Sequence, residues 1–88
     1  MGNMKEGTTK SGFKFAIDEA VLDNMELVDD LEEIDSGNAL AISRVCLKVL
    51  GKEQRDRLYD HLRVDGRVPI KAATDEITEI FNLVNAKN

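Results

Sequence analysis

The hydrophobic positions change period along the chain, and each change marks an element. Phe13, Phe15 and Ile17 alternate with Lys14 and Ala16, the two-residue period of a half-buried strand. A lone strand leaves its main-chain groups unpaired, so it needs a partner. Arg67-Val68, just before Pro69, is one choice and another chain is the other. Met1 to Ser11 is rich in Gly, Thr, Lys and Asn and holds almost nothing to bury. Residues 1–11 therefore read as a flexible lead-in, and 12–88 as a single helical domain.

From about Glu19 to Asp35 the period becomes helical. Asp23 and Glu26 are spaced as a capping box, so a short turn precedes the main helix. Val21, Met25, Leu27, Val28, Leu31 and Ile34 spread over about 180°, wider than the roughly 100° needed to face one core. Two readings of the surplus stand: burial between two neighbours, or contact with a partner. Gly37 ends this helix and Asn38 caps the next, Ala39 to Leu50. There Leu40, Ile42, Val45, Cys46, Leu47, Val49 and Leu50 surround the axis except for a strip at Arg44 and Lys48, the pattern of a central helix.

Gly51 punctuates. Lys52 to Arg63 reads as a third, peripheral helix with only Leu58, Tyr59 and Leu62 to bury, and with Glu53–Arg57 and Asp60–Arg63 at ion-pair spacing. Asp65-Gly66 is a turn, and Pro69 opens a fourth helix reaching about Asn85. Its apolar residues Ile70, Ala73, Ile77, Ile80, Phe81 and Val84 share an arc of about 100°, with Leu83 outside it. The predicted fold is mainly α: a small bundle of about four helices with one short N-terminal strand, or a minor two-stranded pairing.

Composition narrows the function. Eighty-eight residues suit one domain, and with no Trp, one Tyr and three Phe the core is built from aliphatic side chains. A net charge of −5 argues against a dominant nucleic-acid role, which rests on Lys and Arg neutralising phosphates. The single Cys46 excludes an intramolecular disulfide and reads as a small core residue, fitting a reducing cytoplasm. No apolar run approaches the roughly 20 residues of a membrane span, so a soluble, intracellular protein is expected.

Nine acids and no Lys or Arg occupy Asp18 to Asp35. Glu26, Asp29, Asp30 and Glu33 share a face, but ligands strung along one rigid helix do not surround an ion, and neither a metal nor a cofactor is expected. Arg44, Lys48, Lys52, Arg55, Arg57, Arg63, Arg67 and Lys71 make the following region basic. The two zones either pair within the fold or steer a partner. His61 beside Asp60 is not a catalytic pair, because adjacent helix residues diverge, and Ser11, Ser36 and Ser43 read as turn, cap and helix positions. No enzyme motif is present. A helix-turn-helix regulator built on Val45 to Arg63 would turn Glu53, Asp56 and Asp60 toward phosphates, which counts against it.

Four stretches together resemble one family. They are Gly12-Phe13-Lys14-Phe15 with Ile17-Asp18-Glu19, Asp23-Asn24-Met25-Glu26-Leu27, Leu50-Gly51-Lys52-Glu53-Gln54, and Asp65-Gly66-Arg67-Val68-Pro69. They are similar to the tail assembly chaperones of long-tailed bacteriophages (siphoviruses) and prophages of Gram-positive hosts. Gly37-Asn38-Ala39 departs from the Gly-Asp-Pro usual there. The resemblance implies a non-enzymatic protein of the bacterial host cytoplasm that binds the tape measure protein, recruits major tail protein, and is absent from the mature virion. It carries no catalytic residues to transfer. A structural virion component, such as a head-tail joining protein, is the alternative, and a homo-oligomer fits either. The expected partner-binding residues are Phe13, Phe15, Met25, Leu27, Val28, Leu31, Ile34 and Leu83, with no nucleic acid and no membrane as partner.

Overall fold

The computed structural model describes residues 3–84. The chain begins with a hairpin, β1 (Met4–Thr8) antiparallel to β2 (Lys14–Asp18), with Lys5 opposite Ile17 and Gly7 opposite Phe15. The expectation of a flexible lead-in over residues 1–11, of which 1–2 lie outside the described residues, is therefore corrected at Met4–Thr8, which is the partner that β2 requires. Main-chain pairing supplies what the side chains of β1 lack, since ladder hydrogen bonds do not depend on apolar residues. Gly7 is fitted to its place, because a Cβ there would come within 2.8 Å of Phe15 Cζ. The turn closes with Thr9 N donating to Phe13 O at 2.9 Å and Phe13 N donating to Thr9 Oγ1 at 3.2 Å. Arg67, the other candidate, pairs instead with Val64 across Asp65-Gly66, where two main-chain hydrogen bonds of 2.7 and 3.1 Å close a two-residue turn.

A 3-10 turn, Glu19–Leu22, leads into α1 (Met25–Asp35). The cap of α1 is Asn24, not Asp23: its backbone is extended, and its Oδ1 accepts from Glu26 N at 2.9 Å. After α1, Gly37 N donates to Ile34 O and Asn38 N to Glu33 O, the pairing that closes a helix end through a left-handed glycine. Asn38 Oδ1 then accepts from Leu40 N at 3.1 Å.

The helices expected either side of Gly51 are present as two arms of α2 (Leu40–Leu62), separated by a non-helical residue at Gly51, so the described residues hold three continuous helical elements, compatible with the expected bundle of about four. Gly51 lies at φ 79° and ψ 166°, a region that side chains other than glycine's adopt only under strain, and this is where the axis breaks. α3 (Ile70–Val84) follows Pro69, whose carbonyl accepts from Ala73 N at 3.1 Å.

The first arm of α2, residues 40–50, is the centre. Its Ala41, Ile42, Val45, Cys46, Val49 and Leu50 are buried. Around them lie Phe13 from the hairpin turn, Phe15 and Ile17 from β2, Leu27 from α1, and Ala73, Ile77 and Ile80 from α3. Each large side chain taken from water contributes about 1.5–3 kcal/mol, so this apolar cluster, aliphatic apart from Phe13 and Phe15, is the main source of stability. The second arm, residues 52–62, adds only Leu58 to the fully buried set.

Candidate protein-binding surface

The arc on α1 divides by depth. Leu27 is in the core at 1% exposure, as are Phe13 and Phe15 at 3% and 4%, so these three expected contact residues are structural in this state. Leu31 and Ile34 are half-buried against the core. With Ile77 and Phe81 of α3 they line a groove of about 330 Å³ edged by Asp35, Thr78 and Asn82. Met25 and Val28 point to solvent, as does Leu83 on α3. The eight expected positions are therefore not brought together into one face.

The more apolar groove lies elsewhere. Ala39, Leu40, Ile42 and Ser43 at the start of α2, Tyr59 on its second arm, and Val68, Ile70 and Ala73 at the start of α3 line about 310 Å³. Leu40 is 78% exposed and Ile70 is 65% exposed, although the periodicity assigned one to a central helix and the other to a packed stripe. Both sit in the first turn of their helices, where a side chain reaches past the body of the bundle. Leu47 continues the Leu40 stripe two helical turns on and is also exposed. The signal was present in the sequence: a helix apolar all round has more apolar residues than a three-sided core covers.

The acidic and basic zones meet inside the fold. Asp30, buried on α1, accepts from Lys48 Nζ at 2.6 Å and from Arg44 Nε at 3.1 Å, while Glu33 takes Arg44 Nη2 at 2.9 Å. The Lys48 hydrogen bond, opposed by burial and helped by Arg44, holds the Asp30 carboxyl below its ordinary value. The hydrogen bond from Arg44 to Asp30 in turn raises the guanidinium's pKa against the opposing effect of burial. Two of the four carboxylates considered as metal ligands are thus committed to cations, and no cluster of His, Cys, Asp and Glu among the described residues is arranged to hold an ion. Glu53 and Arg57 do not pair. Lys52 and Arg55 instead flank Asp56, which their hydrogen bonds hold below the usual carboxylate range. The Asp60–Arg63 pair is present. Cys46 is fully buried, and desolvation pushes its thiol up to about 11, an unreactive setting.

Polar side chains clamp the hairpin to the second arm of α2. Gln54 accepts from Ala16 N at 2.8 Å and donates to Ala16 O at 2.7 Å, so its amide takes the place of a further strand on the edge of β2. His61 Nε2 lies 3.0 Å from Ser11 Oγ and 3.1 Å from Ser11 O, joining the hairpin turn to the helix. On α3, Glu76 is buried with its Oε1 lacking a hydrogen-bond partner among the described residues, a position the pattern did not single out.

No helix among the described residues is long and apolar enough to cross a membrane. Compared with known protein families, curated proteins and solved structures, the chain matches none.

Proposed function

We propose that the chain is a non-enzymatic protein-binding domain and, on the resemblance of its four sequence stretches, a phage tail assembly chaperone whose client is the tape measure protein. The observation that supports binding is the groove between the starts of α2 and α3, rimmed by the exposed Leu40 and Ile70 and floored by Ile42 and Ala73. A trough of this kind receives the apolar face of an amphipathic helix, which anchors through side chains three and four residues apart. The client implied by the resemblance is long and helical and offers such faces repeatedly. The groove between α1 and α3 gives a second, shallower seat for the same chemistry.

Co-expression with the tape measure protein of the same gene cluster tests the reading. The expected result is a soluble client that co-purifies with this chain. An equally insoluble client with and without the chain, and no complex on pull-down, removes the chaperone assignment.

A further inference from the structure

Ion pairs hold most of the described Lys and Arg side chains, but Lys10, Lys14, Arg57 and Arg67 have no carboxylate within ion-pair distance among the described residues. In a chain of net charge −5, two of these four share one place. Lys14 and Arg57 line an open cleft of about 450 Å³ with His61, Gly12, Phe13 and Asp60, where the hairpin meets the second arm of α2. Arg57 is oriented there by neutral groups. Its Nη1 donates to Lys14 O at 3.3 Å, and its guanidinium lies 5.1 Å from the centre of the Phe13 ring. The charge is thus aimed and left uncompensated. Asp60, the cleft's own carboxylate, is already paired with Arg63.

We propose that this cleft binds a carboxylate side chain from an acidic segment of a protein partner. A guanidinium with one donor committed keeps a free edge for two parallel hydrogen bonds to a carboxylate, and Lys14 adds a point charge beside it. Asp60 at the rim opposes a phosphate dianion more than a single negative charge. Two uncompensated cations on an acidic chain are too few to hold a nucleic-acid backbone, whose binding scales with the number of phosphates neutralised. The proposal rests on the protein-binding reading only in taking the ligand to be a protein, and it does not depend on the identity of the client.

The test is a titration of the isotopically labelled full chain with a capped oligoglutamate peptide, read by amide chemical shifts. Saturable shifts are expected at Gly12, Lys14, Arg57 and His61, weakened by added salt and absent with oligolysine. Lys14→Gln and Arg57→Gln each weaken binding about tenfold, the scale of one charge-assisted hydrogen bond. The Lys14 ammonium makes no ion pair among the described residues, so Lys14→Gln carries the test if Arg57→Gln disturbs the hairpin. The proposal is overturned by the absence of a saturable shift, by unchanged affinity in Lys14→Gln, or by tighter binding of inorganic phosphate or duplex DNA at these residues. Oligoglutamate binding without any tape measure complex sustains this site while removing the client; a tape measure complex without oligoglutamate binding does the reverse.

Discussion

The two arms of α2 are adjacent in sequence and held in place by different forces. Residues 40–50 bury six apolar side chains and are positioned by packing, whereas residues 52–62 bury Leu58 and are positioned by Gln54, Arg57 and His61 reaching the hairpin. Packing is non-directional and fills the core, so its surplus, Leu40 and Leu47, is left as apolar surface. Hydrogen bonds are directional and leave charge in defined places, so the second arm presents an aimed guanidinium. The element therefore exposes apolar side chains near its beginning and an aimed cation toward its end, with Gly51 marking the change.

The comparison breaks most readily at Leu58, the second arm's one fully buried apolar anchor. Leu58→Ala should cost about 2–5 kcal/mol, a large share of the stability of a domain this size, measurable by urea unfolding. Gly51→Ala should cost about 1–3 kcal/mol through backbone strain alone, because no neighbouring atom stands within 4 Å of an added Cβ. Removing the amide clamp, Gln54→Ala, should cost about 1–2 kcal/mol and speed hydrogen exchange at Ala16, while leaving exchange at Val45 and Cys46 unchanged apart from the global loss.

Acid should act on the joint between α1 and the first arm. The Asp30 carboxyl is held below its ordinary 3.8, chiefly by Lys48, so its contribution is fully present above that value and is lost as pH falls through the lowered one. Thermal unfolding of the wild type followed from about pH 5 to pH 2 should show this fall, and Asp30→Asn should flatten it. Asp56, half-buried, is shifted in the same direction by Lys52 and Arg55 and adds to the same slope.

The elements were legible where punctuation is local. Gly37, Gly51, Asp65-Gly66 and Pro69 each mark a boundary the structure keeps, because a turn depends on the few residues that make it. β1 was not legible: Met4–Thr8 buries little, and its reason for being a strand lies in β2, ten residues on, and in the fit of Gly7 to Phe15. The cap passed from Asp23 to Asn24 because boundary chemistry tolerates a one-residue shift that spacing does not resolve. The candidate surface was legible as an excess of apolar residues but not as an address. Burial of Phe13, Phe15 and Leu27, and exposure of Leu40 and Ile70, depend on which elements stop short of which, and only the assembled bundle decides that. The cleft at Lys14 and Arg57 joins residues 43 positions apart.

The claim that the groove at the start of α2 and α3 is the binding surface is tested most directly by one comparison of variants. Leu40→Ser combined with Ile70→Ser should leave unfolding within about 0.5 kcal/mol of wild type, since both side chains are exposed. Co-purification of the tape measure protein with this double variant should then fall to the level of a no-bait control, while wild type retains it. Full retention of the client by the folded double variant would contradict the account.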